Sequence, residues 1–393
     1  MVESLSTVRS KYPSLGVQID SLATLAAQKQ TYQLTHQIIL FLEAAAAANM
    51  KGSDMIEFFN NFVTPYASRM GPIELVKILA KCSLTGDVNV GVGLGLLEKY
   101  NAQLLQSKNA SLLGRILAAE LHLKKSKNLS EARTVIDAIS ESLTDPIYTH
   151  SINAPVRGSF HLVASDLYLA LGNDYEFYGH LLKFLTYTPL ADISSETLAR
   201  TTCQAGIIAL IHPEINDFGE LLSLPAFSDA AIVSGHGAPS WLVDFLRSIH
   251  LGNFDAFEAA FKSHHSELVK EAELLSKIDT SLRRKLTMIS LAELAGFIIP
   301  EKTRRLSFQQ ISQHCRVPVT EVEELVMTTM GVGKLIEGVI DEVDETVVIT
   351  SVKPRVLDNE RVIILKNRIE NWAERALQLC GKMTELTPEL LIS

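Results

Sequence analysis

Residues 307–350 read SFQQISQHCRVPVTEVEELVMTTMGVGKLIEGVIDEVDETVVIT, and this stretch decides the fold of the C-terminal region. Ser307 and Gln310 have the spacing of a capping box, the side-chain arrangement that begins a helix. Thr320 and Glu323 repeat the same spacing. The stretch therefore predicts two short helices, one after each box.

Two strands are predicted after the second helix. Segments 335–340 and 346–350 are rich in β-branched residues, which favour strands, and the acidic turn 341–345 joins them as a hairpin. Two helices followed by a hairpin predict a winged helix. A two-stranded wing leaves an unpaired edge, to which a neighbouring protein can add a strand. One face of the second strand carries Val347 and Ile349, and one of its two faces should pack on the module's own helices.

The second helix, at 320–330, has the wrong charge for reading DNA. It carries Glu321, Glu323 and Glu324 and no Lys or Arg. A duplex phosphate backbone repels such a helix. Assembly with other proteins is therefore the leading use of this module, and a nucleic-acid-binding winged helix is the competing hypothesis.

A long helix is predicted beyond Pro354, with Asp358 as its cap. Its apolar residues recur at alternating spacings of three and four, the heptad pattern of a helix that packs against other helices. The alternative is a helix that folds back on its own domain. The residues of this heptad stripe are Val362, Leu365, Ile369, Trp372, Ala376, Leu379, Met383 and Leu386.

Upstream, from about residue 19 to 296, one helical pattern follows another, with a proline-containing break at 213–240. Successive helices without strands stack on their neighbours. The predicted fold is therefore mainly α: an irregular TPR-like helical repeat array, then a winged-helix module and a long C-terminal helix. The predicted domains are 1–170 (helical repeat arm), 171–353 (helical at 171–300 and winged at 301–353) and 354–393 (heptad helix).

Composition sets limits on function. The chain has 393 residues, a net charge of −9, 47% hydrophobic and 21% charged residues. That length predicts two domains or a stacked array, and the negative charge disfavours nucleic acid and anionic membranes as partners. The basic cluster Arg283, Arg284 and Lys285 is interpreted as a solvated face. Four widely separated cysteines indicate a reducing compartment and no disulfide framework.

No catalytic, cofactor-binding or metal-binding residue is predicted. The glycines at 91, 93 and 95 lack the dinucleotide fingerprint, because position 96 is Leu96. His264 and His265 are adjacent and point apart on a helix. Asp229, Ser234 and His236 share one loop, whereas triad residues normally converge from distant segments. The chain is therefore predicted not to be an enzyme, with a hydrolase as a remote alternative.

Helical repeats, an acidic winged helix and a heptad tail in this order resemble the PCI-domain proteins. That family builds the proteasome lid, the signalosome and translation initiation factor three. Short strings resemble segments of a lid subunit of the 26S proteasome, and their order and spacing carry the resemblance. These strings are DFGELL at 217–222, WLVD at 241–244, EVE at 321–323, IDEVD at 340–344 and PRVLD at 354–358.

The resemblance implies a non-catalytic structural subunit of the proteasome regulatory particle lid, in the cytoplasm and nucleus, that supports ubiquitin-dependent protein degradation. The alternative within the family is a PCI subunit of the signalosome or the initiation factor. Implied partners are other PCI subunits, the MPN-domain deubiquitinase with its inactive partner, and the ubiquitin receptor, with no nucleic acid, membrane or cofactor. The predicted subunit-interface residues are Val347, Ile349, Val362, Leu365, Ile369, Trp372, Leu379 and Met383.

Overall fold

A computed structural model describes residues 9, 11–12, 15–28, 30–48, 50–84, 88–144, 151–228, 237–263, 272–298, 305–356 and 359–386. The chain forms two compact units, Met1–Thr197 and Leu198–Ser393. The predicted arm ends earlier, at residue 170. Asp358, the triad candidates of the 229–236 loop, His264 and His265 lie outside the described residues.

The first unit is a succession of helices, as the sequence predicts. Short π-helical turns at Phe59–Val63 and His122–Ser126 continue two of them. The α-helices are α1 (Gly16–Ala27), α2 (Thr31–Ala47), α3 (Gly52–Phe58), α4 (Thr64–Ala67), α5 (Pro72–Leu84), α6 (Val90–Leu104), α7 (Lys108–Leu121), α8 (Leu129–Thr144), α9 (Ala154–Leu171) and α10 (Asp174–Tyr187).

Helix α6 is formed by a glycine-rich segment that sequence patterns do not assign to a helix. The Asn89 side chain caps it by accepting the Gly91 N–H at 3.3 Å. A Cβ at Gly93 would lie 3.1 Å from Leu121 Cδ1 and 3.3 Å from Ser83 Cβ. The missing side chain thus lets α6 approach α5 and α7 closely, which outweighs the low helix propensity of glycine.

Aromatic packing fills the centre of the first unit. Phe41, Phe58 and Phe62 are fully buried, with ring centroids 4.9 Å apart for Phe41 and Phe58 and 5.3 Å apart for Phe58 and Phe62. Large buried rings of this kind dominate the apolar area removed from water. A second apolar cluster lies further along the chain, around Ile136 and Phe160.

The second unit begins with helices and ends in the winged module. A π-helical turn, Leu294–Ile298, extends the longest of its upstream helices. The elements are α11 (Ser195–Ile211), α12 (Gly219–Ser223), α13 (Ser240–His250), α14 (Phe254–Ser263), α15 (Ala272–Glu293), β1 (Arg305–Ser307), α16 (Phe308–Cys315), α17 (Val322–Gly331), β2 (Ile336–Asp341), β3 (Thr346–Val352) and α18 (Asn359–Leu386).

The winged module has one more strand than the sequence predicts. The sheet order is β1-β3-β2 and all pairs are antiparallel, so β3 is the central strand. The capping box of Ser307 and Gln310 is confirmed, with both reciprocal hydrogen bonds present. The second predicted box is wrong. A 3₁₀ turn at Val319–Glu321 precedes α17, and Glu321 occupies the N-cap without a side-chain hydrogen bond.

Lys285 is buried at the end of α11, which corrects its interpretation as part of a solvated face. Only 1% of Lys285 is exposed. Its Nζ donates to the carbonyl oxygens of Ala209 at 2.8 Å and Ile215 at 3.0 Å, and also to that of His212. A helix would pair the Ala209 carbonyl with the N–H four residues on, but Pro213 has none. Lys285 therefore supplies the donor that the proline lacks.

Candidate subunit interface

The heptad stripe lies on α18, a helix of 28 residues. Leu365, Ile369 and Trp372 are 41%, 56% and 68% exposed. The helix fits the predicted heptad pattern. The described part of the chain leaves the side chains of this stripe largely exposed, whereas the side chains of a core are buried. Large apolar side chains exposed in a row are characteristic of interaction surfaces.

More apolar surface extends this stripe along the same helix. Apart from Ala376, whose small side chain is also exposed, each remaining member is about half exposed or more. Neighbouring residues outside the stripe widen the apolar surface near the start and middle of α18. The exposed large residues beyond those named above are Val362, Ile363, Ile364, Leu377, Leu379, Met383 and Leu386.

Two predicted interface residues lie elsewhere. Val347 is fully buried and Ile349 is 3% exposed, so this face of β3 packs inside the winged module. Because β3 is also paired on both sides, neither its side chains on this face nor its backbone edges are available to a neighbour. This corrects the expectation that Val347 and Ile349 contact another subunit.

The longer of the two outer strands of the sheet is β2, and the three-residue β1 is the other. Among the described strands, β2 pairs only with β3, so its opposite edge has no strand partner. Val339 in this strand is 65% exposed. The register shifts between Glu337 and Gly338, where a Cβ on the glycine would lie 2.4 Å from the Val348 carbonyl oxygen. This edge, rather than β3, has the unpaired backbone groups that β-augmentation requires.

The helix α17 carries the acidic character predicted from its sequence. Glu321 and Glu324 line an open groove of about 270 Å³ together with Arg283 and Arg284 of α15. Arg284 Nη2 also lies 3.4 Å from Thr328 Oγ1. The groove thus pairs acidic and basic side chains and is not a uniformly basic surface of the kind that binds a phosphate backbone.

Two histidines that contact each other lie on α9 and α10 of the first unit. His161 Nδ1 is 3.0 Å from His180 Nδ1, and burial lowers the pKa of His161 to about 3 and that of His180 to about 4. Both rings are therefore neutral at physiological pH, which suits an N–H···N hydrogen bond between them. Among the residues that the structure describes, no group of three or more His, Cys, Asp or Glu side chains is placed to hold a metal ion.

In the same described part of the chain, no helix combines the length and hydropathy that crossing a bilayer requires.

Family models match most of the chain. The model of PSD13 N-terminal repeats matches residues 18–246, which is more than half of the chain. The PCI domain model matches residues 260–351, which cover the winged module up to the penultimate residue of β3. The PCI model thus begins later than the predicted domain boundary at 171, and the helices before residue 246 fall in the repeat model.

Individual relatives agree with these models. The 26S proteasome non-ATPase regulatory subunit 13 of Dictyostelium discoideum is 28% identical over 377 residues, covering 95% of this chain and 94% of that protein. The 26S proteasome regulatory subunit RPN9 of Saccharomyces cerevisiae is 27% identical over 394 residues, covering 96% and 95%. Eukaryotic translation initiation factor 3 subunit M of Coccidioides immitis is 25% identical over 247 residues, covering 62% and 50%. The resemblance to PCI-domain lid subunits is thereby confirmed.

Proposed function

The chain belongs to the family defined by PSD13 N-terminal repeats, with a PCI domain after them, and we propose that it is a non-catalytic structural subunit of the proteasome regulatory particle. Relatives named as regulatory subunits of the 26S proteasome match it over nearly its whole length. The match to an initiation factor subunit covers only half of that protein. The balance of similarity therefore favours the proteasome over the other PCI assemblies.

The exposed heptad stripe of α18 is the observation that supports this role most strongly. Burying a Leu or Ile side chain contributes about 1.5–3 kcal/mol relative to leaving it in water. Leu365 and Ile369 leave much of that contribution unrealised in this chain alone. A bundle formed with helices of other subunits would realise it. We therefore assign Val362, Leu365, Ile369, Trp372, Leu379 and Met383 to a helical subunit interface.

The edge of β2 is the proposed second contact. A neighbouring winged helix that adds a strand there would satisfy the unpaired backbone groups of Ile336–Asp341. Hydrogen bonds along a strand edge set orientation and register, while apolar helix packing contributes affinity. The two contacts lie in the same C-terminal unit, and together they account for an assembly role without any catalytic group.

The finer assignments follow from this role. We propose other PCI subunits as the direct neighbours, and the MPN-domain deubiquitinase, its inactive partner and the ubiquitin receptor as further contacts. The proposed location is the cytoplasm and nucleus, where ubiquitin-dependent degradation takes place. The helical repeats are proposed as an arm that contacts other components of the particle.

Affinity purification of tagged variants tests the proposal. Full-length chain is expected to copurify with proteasome regulatory subunits identified by mass spectrometry, and deletion of 362–393 is expected to abolish this. The more specific test is the double variant Leu365→Asp and Ile369→Asp. Burying two carboxylates without partners costs several kcal/mol, which is on the order of the binding free energy of such a helix. Circular dichroism of each variant checks that the rest of the chain stays folded.

The matched control adds the same two charges on the same helix, away from the stripe. Asn367 and Asn371 are exposed polar residues, and changing both to Asp should leave copurification unchanged. Equal loss with both pairs would mean that charge alone weakens the complex. Normal copurification of the Leu365 and Ile369 variant would refute the assigned interface, and recovery of signalosome or initiation factor subunits would refute the proteasome assignment.

A further inference from the structure

Arg355, which lies shortly before α18, is a buried charged residue. Its side chain is 5% exposed and forms an ion pair with Glu293, itself 12% exposed. A second guanidinium nitrogen, Nη2, lies 2.9 Å from both the Nδ1 and the carbonyl oxygen of His250. Arg355 thereby connects the segment before α18 to the last residues of both α13 and α15.

The backbone around Arg355 is seated equally closely. Lys353 N–H donates to the Leu335 carbonyl at 2.8 Å. A Cβ built on Gly219 would lie 2.5 Å from Val356 Cβ, so a larger residue at the start of α12 would displace this segment. The segment 353–356 is therefore fixed against the helices and the sheet of the second unit, rather than joined to them loosely.

A second arginine makes a contact from within α18 itself. Arg368 Nη1 donates to the carbonyl oxygen of Gly296 at 3.1 Å. Gly296 lies in the π-helical turn Leu294–Ile298, just after α15, where carbonyl groups at a helix end lack partners along the chain. A cation at this end also interacts favourably with the helix dipole.

We propose that Arg355 and Arg368 form a two-point clamp that fixes the direction of α18 relative to α13 and α15, the second of which packs against α16 and α17 of the winged module. Arg355 holds the segment that leads into α18, and Arg368 holds the helix itself, so the two contacts together restrict the direction of α18 more than either does alone. Its use in assembly rests on the proposed function: a helix already held in its bound direction loses less entropy when partners pack on the stripe. Both arginines are positioning residues in this sense and do not themselves contact the partner.

Electron paramagnetic resonance distance measurements on the full-length chain test the clamp. One spin label goes on the exposed Cys380 of α18 and the other on an Asp344→Cys variant in the wing turn, with the partly exposed Cys203 changed to Ser. The wild-type clamp is expected to give one narrow distance distribution. Arg355→Ala and Arg368→Ala are each expected to replace it with a broad one, because each removes one of the two contacts.

Arg316→Ala is the matched control. Arg316 pairs with Asp255 at 2.8 Å in the same unit, but this pair is exposed and joins the end of α16 to α14. Its removal should leave the distance distribution narrow. If Arg355→Ala fails to fold, Arg368→Ala decides the matter, since Arg368 is only partly buried and its loss leaves the Arg355 contacts intact.

If the distance distribution between the two labels stays narrow in Arg368→Ala, or in folded Arg355→Ala, the clamp proposal is wrong, even if the thermal stability of the variant falls. That pattern would give the arginine a purely stabilising role. The measurement uses the isolated chain, so it does not depend on copurification with the proteasome. Failure of the proposed function and failure of the clamp are therefore separate results.

Discussion

Replacing Lys285 with Met should lower the stability of the second unit by more than most single substitutions do. Met has a similar length but no donor, so the carbonyls of Ala209, His212 and Ile215 lose the Nζ hydrogen bonds. The His212 carbonyl still accepts the Ile215 N–H at 3.3 Å, but each buried carbonyl left without any partner costs about 1–3 kcal/mol. Removing the Lys285 side chain offsets part of this loss in the free energy of unfolding, because burying a charged ammonium group is itself costly. We expect a net loss of about 2–4 kcal/mol in the free energy of unfolding.

Urea unfolding at pH 7, followed by circular dichroism, measures this loss. Arg284→Met is the control, since Arg284 is an exposed neighbour on the same helix with one long contact to Thr328. That change should stay within about 0.5 kcal/mol of wild type. A Lys285→Met variant as stable as wild type would refute the conclusion that Lys285 supplies the donor that Pro213 lacks.

The pH dependence of the same comparison has a definite sign. Burial lowers the pKa of Lys285 from 10.5 to about 7, so between these pH values the unfolded chain binds more protons than the folded one. The free energy of unfolding of wild type should therefore rise with pH, relative to Lys285→Met, by about 1 kcal/mol per pH unit above 7. A difference that is flat from pH 7 to 9 would show that the folded amine keeps an ordinary pKa.

Substitutions at Ser307 and Phe62 and the labelling of the native cysteines test other parts of the fold. Ser307→Ala should cost about 1 kcal/mol of stability in urea unfolding, because it removes the capping box, whereas Ser307→Thr should retain most of it. Phe62→Ala should cost about 3–5 kcal/mol by opening a cavity in the first unit, and a loss below 1 kcal/mol would contradict its burial. Cys380 should react with a maleimide in the native protein at pH 8. Cys82 and Cys315 should react only after unfolding, because burial excludes the reagent and raises the pKa of each thiol to about 12; native labelling of either would contradict this.

Local patterns predict the elements that depend on nearby residues. The hairpin of β2 and β3 follows from β-branched runs around an acidic turn, and the Ser307 box begins α16 where the spacing places it. Strand β1 is only three residues long and has no pattern of its own. It exists because Leu306 pairs with Val347 across the sheet, which is a tertiary contact. That pairing also makes β3 central and places Val347 in the core.

Charge and glycine content give wrong predictions of burial and helix formation at positions where tertiary packing determines both. Three adjacent basic residues resemble a solvated face, but Lys285 points at a helix end whose carbonyl lacks its partner because of Pro213. The sequence does show that Pro213 lies four residues after Ala209 and leaves its carbonyl without a donor. It does not show that Lys285 of α15 supplies that donor, because only the fold brings the two together. Gly93 similarly permits close packing of α6 instead of ending a helix.

Hydroxyl-radical footprinting of Trp372 tests the central claim, that the stripe of α18 is completed by other subunits. Trp372 is 68% exposed in this chain alone. Mass spectrometry should find its peptide readily oxidised in the isolated protein and strongly protected in the purified proteasome, with Leu365 and Ile369 protected alongside it. Equal oxidation of Trp372 in the isolated chain and in the assembled particle would contradict the claim.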